Sequence, residues 1–224
     1  MIDAEGCAVK QINGLSIPTS LADVVDPARA ALLVYDMQVG IVRQISGGDE
    51  VTKRCARIVD AARASGFRTA FSRHLSLPKS WMGSFQYRMA MAWQRKDDPA
   101  EVSPWFLRDN PGTQIVPELA PREDEAVFDK LAMSAFEGTP LEFAMRDCGL
   151  SAIILIGIAT EIGIEPTARH AADLGIIPII VTDALGCGHD EAAERSIEAL
   201  RFAGDALFTT MDELIALMEN ARTA

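Results

Sequence analysis

The amino-acid sequence predicts an α/β fold in which a doubly wound parallel sheet carries helices on both of its faces. Short runs of branched apolar residues alternate six times along the chain with segments of helical periodicity. Several of these runs are apolar at every position, which is typical of strands buried on both faces. Such an alternation predicts consecutive strand–helix units and therefore a parallel sheet.

The clearest strand–helix unit spans Ile153–Gly175. It begins with an apolar run that ends at Gly157 and continues with apolar residues at helical spacing. A helix that starts there presents unpaired N–H groups and the positive end of its dipole beside the carboxyl end of the strand. Gly157 and Gly163 would let a ligand approach the backbone, although glycines also fit a tight turn. One helix face is predicted to hold Ile162, Ala168, Ala171 and Leu174.

The remaining elements follow from the same patterns, and Gly66 is predicted to end the first long helix. Pro140 suits the first turn of its helix because a proline needs no N–H partner there. The other strands are predicted at Ala31–Tyr35, Phe67–Ser72, Ala126–Phe128, Ile176–Thr182 and Ala206–Thr209. The other helices are predicted at Asp49–Ser65, Gln86–Arg95, Pro140–Asp147, Asp190–Ala203 and Met211–Ala221.

The chain is predicted to consist of an N-terminal arm, residues 1–29, and a single domain, residues 30–224. Pro18 and Pro27 would break any regular element in the arm, which we expect to pack on the domain or on a neighbouring subunit. A domain of this length can bury a substantial hydrophobic core.

The composition argues against several classes of function. The formal net charge is −11 and no cluster of Lys and Arg is present, so neither a nucleic acid nor a membrane surface is an expected partner. The four cysteines are scattered without C-x-x-C pairs, which argues against disulfides and a zinc site and favours the cytoplasm. The N-terminus lacks the pattern of a signal peptide, and no apolar run approaches the ~20 residues that span a bilayer.

The segment from Leu75 to Pro121 has a looser pattern and contains all three tryptophans. A long aromatic insertion in an α/β domain is typical of a pocket wall or an oligomer interface. A small satellite core beneath a long loop fits equally well. If the segment covers a pocket, we expect Phe85, Arg88 or Trp93 to reach it.

Polar residues follow the predicted strands, at the edge where parallel α/β sheets bind ligands. The sequence contains no G-x-G-x-x-G, no G-x-x-x-x-G-K-[ST] and no G-x-S-x-G, so dinucleotide-binding, P-loop and serine-hydrolase functions lose their main support. The candidate site residues at this edge are Asp36, Arg73 with His74, Lys130, the Glu161–Gly163 turn and Asp183.

Three separated motifs resemble those of the isochorismatase-like hydrolases, also called the cysteine hydrolase superfamily. They are ALLVYDMQ at Ala31–Gln38, K-x-x-x-S-A-F at Lys130–Phe136, and GIATEIGIEPTARHAADLG followed by VTDA. The resemblance covers about residues 30 to 210. It implies a six-stranded parallel sheet of strand order 3-2-1-4-5-6. It also implies a homodimer or homotetramer that acts on a small-molecule substrate without a cofactor.

The amide hydrolases of this superfamily use an Asp–Lys–Cys triad. The resemblance assigns the aspartate to Asp36 and the lysine to Lys130, but the position of the cysteine holds Gly163. It also implies a cis peptide between Ile158 and Ala159, in a turn that orients the N–H groups of the oxyanion hole. None of the four cysteines can substitute from its sequence position, so a covalent acyl-enzyme of the usual kind is not expected.

The isochorismatases proper resemble this chain in having glycine at that position. They cleave a vinyl ether by protonating the enol-ether carbon, which needs an acid within reach but no nucleophilic side chain. By resemblance, Asp36 would be that acid and Lys130 its electrostatic partner. His74 corresponds roughly to a glutamine that contacts substrate, and Arg88 to a pocket arginine. The other expected substrate contacts are Phe85, Trp93, Ile158, Ala159, Glu161 and Ile162.

Two alternatives remain open. The turn GIATEIG matches the amidases rather than the G-V-Y-A-H-x-G of the isochorismatases, which favours an amidohydrolase in which Gly163 replaces the cysteine. Gly163→Cys would then restore turnover. A non-catalytic relative that binds a small metabolite is the other alternative, and Asp36 and Lys130 argue against it. The segment FSRHLSLPKS supplies only one histidine of the nicotinamidase metal cluster, so no metal is expected.

Overall fold

The computed structural model of the protein describes residues 10–223 and confirms the six-stranded parallel sheet. Two short strands, β1 (Lys10–Ile12) and β2 (Leu15–Ile17), form an antiparallel hairpin that precedes it. The strands of the sheet, β3 to β8, are Ala30–Tyr35, Arg68–His74, Ala126–Lys130, Ala152–Ile158, Ile177–Gly186 and Leu207–Thr209. They lie in the order β5-β4-β3-β6-β7-β8, which is the expected 3-2-1-4-5-6 order when the strands of the sheet alone are counted.

Seven α-helices connect or follow these strands in the described part of the chain. Pro140 lies immediately before its helix rather than in the first turn. Within residues 10–223, no helix is long and apolar enough to cross a membrane. The helices α1 to α7 are Val39–Val42, Gly48–Ala64, Ser84–Gln94, Leu141–Asp147, Glu165–Asp173, Asp190–Ala203 and Met211–Thr223.

The sheet separates two hydrophobic cores. Alternate residues of β3 point to opposite faces, so Leu32 and Val34 pack with α2 and α7, whereas Leu33 and Tyr35 pack with α4, α5 and α6. The central strands β3 and β6 are buried at every position. The strand order reverses between β3 and β6, and their carboxyl ends therefore form the crevice where such sheets bind ligands.

Three strands extend further toward their carboxyl ends than predicted. The pairing of β4 with β5 continues to His74 opposite Lys130, and that of β6 with β7 continues after a register shift to Ile158 opposite Gly186. The sequence pattern ends a strand where the apolar residues stop, so polar residues at a strand end are taken for loop residues. Their backbone hydrogen bonds to the next strand cannot be recognised from the side-chain types. Lys130 is consequently held by the sheet itself.

A π-helical turn, Thr160–Ile164, joins β6 to α5. The carbonyl of Ala159 accepts hydrogen bonds from the N–H groups of both Gly163 and Ile164, at 2.9 and 3.1 Å. The wider turn shifts the following side chains relative to a regular 3.6-residue period. The predicted helix face is therefore wrong for Ile162, which is 40% exposed, and Ile164 takes a buried position instead.

The N-terminal hairpin corrects the prediction that residues 1–29 contain no regular element. Asn13 and Gly14 form its turn with φ angles of 51° and 79°, the left-handed values that a two-residue hairpin turn requires. All six strand residues of the hairpin are exposed. Residues 1–9 of the predicted arm lie outside the described residues.

Candidate active site

Asp36 directly follows β3, at the point where the strand order reverses. Its φ of 47° lies in the left-handed region, which is uncommon for a residue other than glycine. Ser72 of β4 binds it twice: the Asp36 N–H donates to Ser72 Oγ at 3.2 Å, and the Ser72 hydroxyl donates to Asp36 Oδ1 at 2.6 Å. Ser72 is fully buried, and it is a site residue that the sequence motifs did not predict.

Lys130, the last residue of β5, reaches past the end of β4 to Asp36. Its Nζ donates to Asp36 Oδ2 at 2.7 Å and to the carbonyl of Ala132 at 3.2 Å. It also lies 4.4 Å from the centre of the Tyr35 ring. The side chains of Lys130 and Asp36 are 1% and 5% exposed, so each charge is compensated mainly by the other. The structure thus brings the two residues with predicted catalytic roles into direct contact.

Gly163 lies against the ring of Tyr35. A Cβ atom added to Gly163 would overlap the ring and hydroxyl group of Tyr35. That hydroxyl donates to the carbonyl of Met133, and burial together with the charge of Asp36 raises the pKa of Tyr35 well above its ordinary value. Tyr35 therefore fills the space that a side chain at position 163 would need. The expectation that Gly163→Cys alone would restore a working thiol does not fit this geometry.

The turn after β6 combines two features. The peptide between Ile158 and Ala159 is cis, as the resemblance implied. Glu161 ties the turn to the start of α6, because its Oε1 accepts hydrogen bonds from the N–H groups of Gly188 and His189 at 2.7 and 3.0 Å. Its Oε2 is buried and has no hydrogen-bond partner among the described residues.

A cavity of about 330 Å³ lies beside the Asp36 carboxylate. Its walls come from the ends of β3, β4 and β6, from α1 and the residues after it, from the aromatic segment and from the turn after β6. Of the predicted site residues, the cavity brings together Asp36, His74, Trp93, Ile158, Ala159 and Ile162. The full lining is Tyr35, Asp36, Ile41, Gln44, Ile45, His74, Trp93, Trp105, Phe106, Met133, Ile158, Ala159, Ile162 and Gly188.

Phe85 and Arg88 do not line this cavity. Phe85 borders a smaller cavity of about 70 Å³, which shares His74 and Trp93 with the larger one. Arg88 borders an open groove together with Lys79. The structure therefore does not bring Arg88 to Asp36.

His74 is held between the sheet and the aromatic segment. Gln38 fixes its backbone, since the His74 N–H donates to Gln38 Oε1 at 2.7 Å and Gln38 Nε2 donates to the His74 carbonyl at 3.1 Å. The imidazole meets Trp93 and Phe106 edge-on, with ring centroids 6.3 and 5.9 Å apart. Burial, reinforced by the charge of Lys130, lowers the pKa of His74 to about 4. The imidazole is consequently neutral near pH 7.

Comparison with known proteins shows which family the chain belongs to. The family model described as the isochorismatase domain matches residues 30–212. The chain belongs to the isochorismatase family. The uncharacterized isochorismatase family protein YwoC of Bacillus subtilis (strain 168) is 30% identical over 173 residues, which cover 77% of this chain and 86% of that protein.

Two further proteins are similar to this isochorismatase-family chain, one in sequence and one in fold. A protein of Bacillus subtilis (strain 168) named isochorismatase is 32% identical over 228 residues, covering 96% of this chain and 68% of that protein. The crystal structure of a cysteine hydrolase from Pseudomonas syringae pv. phaseolicola 1448A has a TM-score of 0.74 at 22% identity, covering 88% of this chain and 95% of that one. The likeness to the crystal structure shows the fold alone. Membership of the isochorismatase family makes the present chain a hydrolase.

Two strand-end residues have structural partners outside the hydrolase cavity. Arg73 donates two hydrogen bonds to the carboxylate of Asp129, at 2.7 and 3.0 Å. Asp183 Oδ1 accepts the N–H of Met211 at 2.7 Å and so caps α7. Because successive strand residues point to opposite faces, a polar residue near a strand end need not face the site. The structure therefore does not bring Arg73 and Asp183 to the cavity beside Asp36.

No described cysteine is placed as a nucleophile for this isochorismatase-family site. Burial raises the pKa of the Cys55 thiol to about 12. Burial and the hydrogen bond to Asp190 raise that of Cys187 to about 11. Cys148 is exposed at the end of α4, and Cys7 lies outside the described residues.

Residues 10–223 contain no group of three or more His, Cys, Asp or Glu side chains that could hold a metal ion. That the hydrolase needs neither a metal nor a cofactor stays a prediction.

Proposed function

We propose that this isochorismatase-family hydrolase cleaves a small metabolite by acid–base chemistry, without a thiol nucleophile. Asp36 transfers the proton and Lys130 stabilises its carboxylate, as in the hydrolysis of a vinyl ether. The contact between Tyr35 and Gly163 carries this proposal. Because the tyrosine fills the space beside Gly163, that position has no room for a nucleophilic side chain, while the Asp36–Lys130 pair is complete.

The reaction needs one proton donor and one water molecule. When Asp36 carries a proton, it forms the new C–H bond at the enol-ether carbon and leaves an oxocarbenium-like cation and a carboxylate. Lys130 at 2.7 Å and Ser72 at 2.6 Å stabilise that carboxylate by strong hydrogen bonds. Water then adds to the cation and returns a proton to Asp36. The resulting hemiketal collapses to a carbonyl compound and an alcohol.

An amidohydrolase is the second candidate function, supported by the turn GIATEIG. Water would then attack the amide carbonyl directly with Asp36 as general base, because no described cysteine lines the cavity. This reaction uses the same Asp36–Lys130 pair and differs in the bond that breaks.

Asp36→Asn should abolish turnover, because an amide keeps the shape of the carboxyl group but cannot exchange the proton. The expected loss in kcat is about 10²–10⁴-fold. Activity is assayed against isochorismate, uncharged enol ethers and a panel of small amides. Asp212→Asn is the matched control, since Asp212 lies on the surface and pairs with Arg57.

Thiol alkylation should leave the activity of the unaltered protein in place. Loss of turnover on treatment with iodoacetamide, or full turnover by Asp36→Asn, would contradict the proposal.

Cysteine variants separate the two candidate reactions. Gly163→Cys alone should fold poorly because its side chain overlaps Tyr35. Tyr35→Val combined with Gly163→Cys makes room for the thiol. Strong amide hydrolysis by the double variant, together with no enol-ether hydrolysis by the unaltered protein, would contradict vinyl-ether chemistry.

We also propose that the hydrolase is a cytoplasmic homodimer or homotetramer. Helix α3 supports an assembly, because none of its residues is buried in the single chain. Trp81 and Phe85 are 76% and 68% exposed, which leaves an apolar surface that a second copy would cover. Light scattering after size-exclusion chromatography measures the assembly, and a monomer mass at micromolar concentration would contradict it.

A further inference from the structure

We infer that the cavity beside Asp36 takes an uncharged small molecule with an apolar ring or chain, and that it discriminates against carboxylates. The inference depends on the proposed function only in taking Asp36 as the reacting centre. It is argued from three features of the cavity: the lack of an unpaired cation, the occupied N–H groups of Gly188 and His189, and the apolar walls.

The cavity offers no free positive charge among the described residues. Neither lysine nor arginine is among the residues that line it. Lys130 lies just behind Asp36, but its ammonium group is bound to that carboxylate at 2.7 Å. His74 is the remaining basic side chain, and burial together with Lys130 lowers its pKa to about 4. A carboxylate that enters the cavity near pH 7 therefore meets no unpaired cation.

One pair of backbone donors beside the cavity is already occupied. Gly188 lines the cavity, and helix α6 begins two residues later. The N–H groups at such a helix start are the usual place for an anion to bind. Here Glu161 Oε1 already accepts the N–H groups of Gly188 and His189, at 2.7 and 3.0 Å. The protein's own carboxylate thus takes the position of an anionic ligand and adds negative charge beside the cavity.

The walls of the cavity favour an apolar group. Trp93, Trp105 and Phe106 supply aromatic surface, and Ile45 and Ile162 supply aliphatic surface. An apolar ring gains free energy by leaving water for such walls. A carboxylate would lose hydration on entering without gaining an unpaired cation, which is unfavourable. Isochorismate, which has two carboxylates, is therefore a poor fit, whereas an uncharged enol ether or amide fits.

Binding of two molecules of the same shape tests the inference. Phenylacetamide and phenylacetate both carry a phenyl ring, and they differ in the charge of the polar group. Isothermal titration calorimetry at pH 7.5 should give an affinity about 10-fold or more higher for the amide. Equal or tighter binding of phenylacetate would overturn the inference.

A variant with an added cation tests the cause of the selectivity. Gln44→Arg places a guanidinium on the wall of the cavity and should raise the affinity for phenylacetate by about 10-fold. Gln11→Arg makes the same change of net charge on the exposed N-terminal hairpin and should leave both affinities unchanged. An equal gain from both variants, or no gain from Gln44→Arg, would contradict the role assigned to the missing cation.

The outcomes separate this inference from the proposed function. Full turnover by Asp36→Asn would overturn the acid–base proposal and leave the charge selectivity standing. Preference for phenylacetate in the unaltered protein would overturn the charge selectivity and leave the role of Asp36 standing.

Discussion

The carboxyl edge of the sheet and the aromatic segment of residues 75–121 are constructed in opposite ways. At the edge, Asp36, Ser72 and Lys130 are buried, and their side chains are bonded to one another. In the aromatic segment, helix α3 buries none of its residues, and Trp81 is 76% exposed. The reacting groups are thus held by the central strands, whereas part of the cavity wall comes from a weakly packed helix. The contrast predicts that substitutions at the edge affect both folding and chemistry, and that substitutions in the segment mainly affect recognition.

The largest effect on stability is expected from Lys130→Met. This substitution leaves the buried Asp36 carboxylate without its cation, which typically costs about 3–5 kcal/mol of the free energy of unfolding. Urea unfolding at pH 7 measures the loss. Lys79→Met is the matched control in the aromatic segment, because Lys79 bonds the carbonyl of Ala100 from an exposed position. A loss of no more than about 1 kcal/mol is expected there. Equal losses of stability in Lys130→Met and Lys79→Met would contradict the contrast between the sheet edge and the aromatic segment.

An intermediate, pH-dependent effect is expected at His74, which lies on the border between the regions. In the folded protein its pKa is lowered to about 4, whereas an unfolded histidine titrates near 6.5. Between these values the unfolded state binds more protons, so His74 lowers the stability as the pH falls from about 6.5 toward 4. Near pH 5 its contribution is expected to be about 2 kcal/mol or less.

His74→Gln removes this titration and should flatten the decline in stability between pH 7.5 and pH 5. Parallel urea titrations of the two proteins at both pH values measure the difference. If the free energy of unfolding falls equally in the unaltered protein and in His74→Gln, the imidazole is open to solvent. His74 would then resemble the exposed residues of the aromatic segment rather than the buried residues of the sheet edge.

The smallest effect is expected from Phe85→Ser on α3. Phe85 is 68% exposed, so the free energy of unfolding of a single chain should change by less than about 0.5 kcal/mol. Any larger effect should depend on protein concentration, as burial in an interface requires. Thermal unfolding at several concentrations measures both quantities. Phe71→Ala in β4 is the control, because the Phe71 side chain is fully buried and its loss should cost about 3–5 kcal/mol. A large, concentration-independent effect of Phe85→Ser would show that the segment is packed as firmly as the edge.

The strands could be predicted because they depend on short-range patterns, whereas the strand order and the roles of Asp36 and Lys130 came from the resemblance to the isochorismatase-like hydrolases. Apolar runs located the central strands, and strand order alone brings Asp36 and Lys130 to one edge. The N-terminal hairpin was also predictable, because Asn13-Gly14 between two short apolar-containing runs is a strong turn signal, but the prolines masked it. Arg88 could not be placed, since no periodicity fixes the orientation of a helix that buries none of its residues.

The site residues that the sequence did not reveal depend on contacts between distant positions. Ser72 lies within a buried strand, where a serine carries no sign of its two hydrogen bonds to Asp36. Tyr35 ends an apolar run, and its contact with Gly163 arises only when β3 and the turn after β6 are brought together. Complementary side-chain volumes at two distant positions cannot be read from one chain.

The close contact of Tyr35 with Gly163 also restricts how this site can change in evolution. A cysteine that appeared first at position 163 would collide with the tyrosine. A smaller residue that appeared first at position 35 would leave a void in the core, and truncation of a large buried side chain costs several kcal/mol. Either order passes through a less stable intermediate. A lineage that carries this pair is therefore at least two mutational steps away from a site with a cysteine at position 163, and a stability reserve from substitutions elsewhere would offset the loss at the intermediate step.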